Sequence, residues 1–159
     1  MRKIVIATLT TTLALSLSAC ASGANAPTAM TKQVTDGVEA SIDAQGSHVK
    51  VAGLLLVAQH DGSAVLVATM VNEGEVQDDL LAIAAGGVMG TLSATSLPML
   101  QNKALRFAGD SANSTAIFPA LNIAPGNRVK VQLFFSHAGE MTVDAIVREQ
   151  AGVYAGVTS

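Results

Sequence analysis

The chain has 159 residues, of which 50% are hydrophobic and 13% are charged, and it contains one Cys, one Tyr and no Trp. This composition excludes an intrinsically disordered chain, which needs low hydrophobicity and high net charge. The sequence pI of about 5.5 argues against nucleic-acid binding, which needs a basic surface. A single Cys excludes a disulfide framework and a Cys-based zinc cluster. The length leaves room for one ordinary domain.

Residues 1–19 have the pattern of a secretory signal peptide. Arg2 and Lys3 form a short positive segment, and the stretch from Ile4 to Leu17 (IVIATLTTTLALSL) is uncharged and mostly apolar. A membrane-spanning helix needs roughly 20 apolar residues. The stretch is therefore too short for a transmembrane anchor and indicates a leader that is removed.

The leader ends in Leu17-Ser18-Ala19-Cys20. This motif resembles the lipobox of bacterial lipoprotein precursors, in which the Cys thiol is diacylglycerylated and the leader is cut before it. The resemblance implies lipid attachment at Cys20 and a position on the extracytoplasmic face of the cell membrane, with the lipid bilayer as partner. The alternative is a general signal peptide with an incidental Cys. Several acyl chains on one residue anchor a protein stably, whereas one chain alone is marginal.

The residues after Cys20 divide into three segments. Small and polar residues in 21–31 (ASGANAPTAMT) predict a flexible tether, so the lipidated tether covers residues 20–31. A folded domain is predicted over 32–148 and a C-terminal tail over 149–159. Loss of Arg2 and Lys3 leaves seven basic and twelve acidic residues, a formal net charge of −5. The lipid, rather than charge, must therefore hold the chain to an anionic membrane.

Alternation of apolar and polar residues predicts several β-strands. Arg128–Ser136 and Gly139–Arg148 both alternate with a period of two, and Ser136–Gly139 reads as the hairpin loop between them. Val38–Asp43 alternates in the same way.

Two further runs, Val49–Ala58 and Ala64–Val71, are almost continuously apolar, as in strands that are covered on both faces. Residues 60–63 (HDGS) separate them as a tight turn. Shorter strand candidates lie at 80–85 and 91–94, and another turn is predicted at 125–127. The pattern predicts an all-β, antiparallel β-sandwich of seven to eight short strands.

No motif in the sequence points to catalysis. The serine-hydrolase elbow and the phosphate-binding loop are absent, and Gly86–Gly90 (GGVMG) lacks dinucleotide-binding spacing and reads as a loop or bulge. His48, His60 and His137 are expected to be solvated imidazoles. We therefore predict no catalytic residue, no cofactor and no enzymatic activity.

An acidic run lies between two predicted strands and comprises Glu73, Glu75, Asp78 and Asp79. Clustered carboxylates can bind Ca²⁺, but the run lacks the spacing of an EF-hand loop. We expect it to be a solvated connection.

Two segments resemble periplasmic copper-chaperone domains. Val67–Asp79 (VATMVNEGEVQDD) is similar to that family's strand, Asn-x-Gly and acidic turn, and Pro125–Val147 (PGNRVKVQLFFSHAGEMTVDAIV) is similar to its closing hairpin. Their order and spacing agree over Val49–Val147. Lys32–Val38 (KQVTDGV) resembles the start of related actinobacterial lipoproteins. The resemblance implies a cupredoxin-like or immunoglobulin-like β-sandwich.

The resemblance also implies where copper ligands should lie. The family binds Cu(I) through a His and several Met, which are soft donors for a soft cation. The expected strand Met falls at Ala68, with Met70 two positions on, and the expected His falls near Ser93. The expected His-x-Met pair falls in Ser114–Phe118 (STAIF), which contains neither residue. We therefore predict no metal site.

The sequence thus predicts a lipoprotein, anchored through Cys20, that displays a non-enzymatic binding or structural module to an unknown protein partner. The alternative is a Cu(I) chaperone that uses Met70, Met89, Met99 and a His. Met89 and Met99 are ten positions apart and could share a site. The two hypotheses differ in whether these sulfur atoms and an imidazole converge.

Overall fold

The computed structural model describes residues 36–158. The predicted signal peptide, the predicted lipidation at Cys20 and the predicted tether lie outside the described residues. The described part of the chain is all-β and has eleven strands and one 3-10 turn, without an α-helix. No helix within it is long and apolar enough to span a membrane.

The elements follow one another closely along the chain. They are β1 Val38–Ala44, β2 Ser47–Ala58, β3 Ala64–Asn72, β4 Asp78–Ala85, β5 Val88–Met89, β6 Thr91–Leu92, β7 Leu97–Met99, β8 Ala104–Arg106, β9 Ala116–Phe118, β10 Arg128–Phe135, β11 Glu140–Glu149 and the 3-10 turn Gly152–Tyr154. The count exceeds seven to eight because residues 88–118 break into five strands of two or three residues, which pair with different partners.

The strands form two sheets that are joined by strand pairing at β11, in the order β5-β4-β10-β11-β2-β3-β9-β6. Strand β11 belongs to both sheets, because it pairs with β10 along most of its length and with β2 over its last three residues. On the opposite side, β5 pairs with β4 while β6 pairs with β9. The predicted all-β sandwich is confirmed, and β11–β2 is the one parallel strand pair within residues 36–158.

The core follows from the alternation seen in the sequence. Val129, Val131 and Leu133 of β10 point inward and are buried, and the residues between them are exposed or half-buried. In β2 the four residues Leu54–Val57 are all buried, as the continuous apolar run predicts. Phe118 of β9 is among the largest fully buried side chains.

The glycine-rich stretch forms a turn and a close crossing. Gly86 and Gly87 connect β4 to β5 with φ of 55° and 84°, as a two-residue primed turn requires. Gly90 then passes directly over the core, where a Cβ atom would lie 2.8 Å from Ile83 Cγ2 and 2.9 Å from a Phe118 ring carbon. Gly90, in the stretch predicted to be a loop or bulge, thus lets the chain cross from β5 to β6.

Candidate functional site

A buried carboxylate, Asp78, organises one end of the domain. Asp78 begins β4, and its side chain is fully buried. Five donors reach it: Ser47 Oγ at 2.7 Å, Ser136 Oγ at 2.7 Å, and the backbone N–H groups of Asp79, His137 and Ala138 at 2.8, 2.9 and 2.8 Å. We call Asp78 and these donors the Asp78 cluster. It joins the start of β2 and β4 to the β10–β11 loop.

The charge state of Asp78 follows from these contacts. Burial raises the pKa of the carboxyl, but the hydrogen bonds, led by that from the His137 N–H, outweigh burial and hold the pKa well below its usual range. Asp78 is therefore ionised in the folded protein. The prediction that the whole acidic run is solvated was wrong at this residue, because four of its five donors come from distant parts of the chain.

Asn72, whose role was not predicted from the sequence, is a further buried polar side chain at this end, in addition to Ser47 and Asp78. Its Oδ1 accepts from the N–H groups of His48 (3.2 Å) and Gly74 (3.0 Å). Its Nδ2 donates to the carbonyls of Val76 (2.7 Å) and Met99 (3.3 Å). The Asn-x-Gly motif in Val67–Asp79 was the signal for this role.

Gly74 completes the motif. A Cβ atom on Gly74 would lie 2.6 Å from the backbone nitrogen of His48 and 2.8 Å from Ser47 Cα. The β3–β4 connection therefore packs backbone to backbone against the start of β2, which only glycine allows. The Asn-x-Gly motif therefore has a structural role, because it packs the β3–β4 connection against the start of β2.

His48 is not a free imidazole, contrary to our expectation. Its ring is half-buried, Nδ1 contacts the Asp43 carboxylate, and Nε2 lies 3.8 Å from Glu73 Oε2. Lys50 Nζ also binds Glu73, at 2.7 Å. Together these polar contacts connect the β3–β4 segment to the β1–β2 hairpin. His60 and His137 are exposed, as expected.

Ser136, His137 and Asp78 lie together without forming a catalytic triad. Ser136 Oγ donates to Asp78 Oδ1 and lies 3.1 Å from His137 Nδ1, whereas His137 Nδ1 is 3.9 Å from Asp78 Oδ1. In a triad the imidazole lies between the hydroxyl and the carboxylate. Here the hydroxyl binds directly to a carboxylate of low basicity, which does not activate a nucleophile.

The positions where copper ligands were expected do converge. The Ser93 N–H donates to the Thr115 carbonyl (3.0 Å), and the Thr115 N–H donates to Ser93 Oγ (3.2 Å). The expected His position thus lies beside the segment expected to contain His-x-Met. Their side chains are hydroxyls and an Ala116 methyl instead of an imidazole and a thioether, and Ala68 is a buried core residue. These positions hold no soft donor.

The methionines proposed as an alternative site are separated. Met89 pairs with Ala84 and Met99 pairs with Asp78 along the same edge of β4, which places them about 20 Å apart at roughly 3.3 Å per residue. Met99 is fully buried, as is Met70, whereas Met89 is 58% exposed. The hypothesis that Met89 and Met99 share a site is therefore wrong. Within residues 36–158, no group of three or more His, Asp or Glu side chains is placed to hold a metal.

No protein-family model matches the chain, and no curated protein matches it. Solved structures do. The apo PCuAC domain from PmoF1 is 20% identical, with a TM-score of 0.57, and the match covers 69% of this chain and 99% of that domain. The copper-bound PCuAC domain from PmoF2 is 19% identical, with a TM-score of 0.58, and the match covers 69% of this chain and 98% of that domain. The apo PmoF2 domain is 17% identical, with a TM-score of 0.57, and the match covers 71% of this chain and 98% of that domain. The chain thus has the cupredoxin-like fold of PCuAC copper-chaperone domains, as the two resembling segments implied.

Proposed function

We propose that this protein is an exported lipoprotein, anchored through Cys20, that presents a PCuAC-fold domain as a non-enzymatic binding module. The observation that carries the proposal is the meeting of Ser93 with Thr115 where the resemblance implies copper ligands. The two positions lie side by side, and they offer hydroxyl oxygens, which are hard donors, in place of the soft donors that the resemblance implies. Such a domain keeps the shape of a chaperone for presentation to a protein partner.

The chemistry of the retained positions argues against Cu(I). Cu(I) prefers thioether, thiolate and imidazole ligands. A hydroxyl oxygen offers neither the softness nor the basicity of these groups. The buried sulfur atoms of Met70 and Met99 belong to the hydrophobic core, so their use as ligands would require the core to open.

Cu(I) binding remains the second candidate function, and the likeness to a copper-bound PCuAC domain favours it. Met89 is the one thioether within residues 36–158 that is well exposed, which makes it the ligand to test. Any such site must use donors other than the Met89–Met99 pair, which lies too far apart.

An anaerobic Cu(I) competition titration tests both candidates on the chain from Ala21 to Ser159, without Cys20 because its thiol is itself a soft ligand. We expect no stoichiometric Cu(I) binding in competition with a high-affinity chromophoric chelator. The variant Met89→Leu serves as the matched control, since Leu has a similar volume and no sulfur. Tight one-to-one binding that Met89→Leu abolishes would make copper delivery the function and overturn the proposal.

A further inference from the structure

An uncharged depression lies on the surface of the domain beside β4, β5 and β6. It has a volume of about 430 Å³ and is lined by seven uncharged residues between positions 81 and 95, among them Leu81, Met89 and Leu92. Polar and apolar atoms contribute about equally to its exposed lining, and we call the exposed apolar side chains of this depression, Leu81 and Met89, the apolar patch. Five large apolar side chains within residues 36–158 are exposed, and two of them, Leu81 at 47% and Met89 at 58%, belong to the patch.

The fold places these two side chains together. The Gly86–Gly87 turn folds β5 back on β4, so that Met89 pairs with Ala84, and Gly90 then donates to the Ile83 carbonyl at 2.8 Å. Leu81 lies two residues before Ile83 on the same strand. Large exposed apolar groups clustered in a shallow concavity are typical of a docking surface.

The length of chain before the domain indicates what the patch can reach. Fifteen residues lie between Cys20 and Asp36, which is a reach of up to about 50 Å when extended. A domain of this size has a radius of gyration of about 14 Å. Any face of the domain can therefore touch a bilayer that holds Cys20.

Charge favours this particular face for such a contact. The chain without its leader carries a net charge of −5, so most of its surface gains nothing from anionic headgroups. Burying an unpaired charge at the membrane interface is expensive, whereas an uncharged apolar surface gains free energy there. The contact is too small to bind a membrane unaided, but a tether raises the effective concentration of the bilayer.

We propose that the apolar patch docks on the lipid bilayer to which Cys20 is attached, with Leu81 and Met89 entering the headgroup region. The proposal rests on the lipid anchoring proposed above. It gives the domain a fixed orientation on the membrane.

The test uses chemical attachment, so that its outcome does not depend on lipidation in cells. The chain Cys20–Ser159 is coupled through its single thiol to maleimide-bearing lipid in phosphatidylcholine vesicles, and the soluble reference is the same chain capped with N-ethylmaleimide. Both are treated with hydrogen peroxide, which oxidises an exposed methionine thioether to the sulfoxide and is itself reduced to water. Peptide mass spectrometry measures the rate at Met89, with buried Met70 and Met99 as internal references.

We expect Met89 to oxidise at least about twofold more slowly on vesicles than in solution. Leu81→Asp should restore the solution rate, whereas the matched control Leu100→Asp should keep the slow rate. Leu100 is 49% exposed and follows Met99, which pairs with the other end of β4. Equal Met89 rates on vesicles and in solution would overturn the proposal. Protection that grows with the surface density of coupled protein would also overturn it, in favour of contact with a second copy. Failure of Cys20 lipidation in cells would instead contradict the proposed function.

Discussion

Replacing Asp78 by Asn tests whether one buried carboxylate holds three parts of the chain together. The substitution keeps the shape of the side chain but changes one acceptor oxygen to a donor NH₂ group. The best orientation keeps the remaining oxygen at Oδ1, where three donors converge. At the Oδ2 position the new NH₂ group replaces an oxygen. The Ser47 hydroxyl can rotate and accept a hydrogen bond from this group, but the Ala138 N–H can only donate. One buried backbone donor is left without a partner.

The expected loss of stability is about 3 kcal/mol. A buried donor without an acceptor costs about 1–3 kcal/mol, and the remaining hydrogen bonds lose the strength that the charge gave them. For a domain of this length, such a loss corresponds to a decrease in Tm of roughly 10 °C.

Urea unfolding of the chain Ala21–Ser159, followed by far-UV circular dichroism at pH 7, measures the effect as a change in midpoint at constant slope. Asp79→Asn is the matched control, because Asp79 is the next residue and its side chain lies on the other face of β4. The control should stay within about 0.5 kcal/mol of the wild type. A similarly small effect of Asp78→Asn would refute the role assigned to the cluster.

The same pair of proteins should differ in pH dependence. The folded pKa of Asp78 lies below the unfolded value of about 3.9, so its contribution is complete above about pH 4 and is lost as the pH falls through the folded pKa. The stability difference between wild type and Asp78→Asn should therefore narrow below pH 4, by up to about 1.4 kcal/mol per pH unit. A difference that stays constant down to pH 2.5 would contradict this reasoning.

Three further substitutions address the anchor, the close backbone packing and the core. Cys20→Ala should release the protein into the medium or leave it unprocessed in cell fractionation, and a membrane-bound variant of normal mature mass would contradict lipidation. Gly74→Ala should lower the free energy of unfolding in urea by about 2 kcal/mol, because its Cβ would meet a backbone nitrogen at 2.6 Å. The control Gly156→Ala, whose Cβ would meet nothing within 4 Å, should change it by less than about 0.5 kcal/mol. Equal effects of the two substitutions would refute the packing argument. Met99→Ala should lower the free energy of unfolding by about 2–5 kcal/mol in the same assay, because Met99 is buried. Met89→Ala should lower it much less, because Met89 is exposed. Similar losses for the two variants would place Met89 in the core.

Local sequence patterns were sufficient for the long strands and their inward faces, but not for the short strands between residues 88 and 118. In β10 and β11 the period of two places Val131 and Val143 in the core, and the turn between the strands falls where the alternation stops. A strand exposes alternate residues to opposite faces whatever its partner is, so this information is carried by neighbours in the chain. The lipobox-like motif is likewise short, and the prediction made from it needs no fold.

Strand partners could not be read in the same way. The last residues of β11 leave β10 and pair in parallel with Leu56–Ala58 of β2, about 90 residues earlier in the chain. Five short strands between residues 88 and 118 divide their pairing between the two sheets. No local pattern specifies such pairings, because each depends on how the two sheets close around one core.

The chemistry of the candidate site depended on the tertiary structure most of all. Asp78 lies in an acidic run that reads as solvated, and its burial and low pKa follow from donors 31 and 58–60 positions away. Met89 and Met99 are close in sequence, yet β4 holds them apart. The sequence by itself determined the faces of the long strands, and it predicts a leader and a lipidation motif, since all of these rest on adjacent residues. Burial, charge state and the meeting of side chains were decided by long-range strand pairing, because it sets which groups replace water around each side chain.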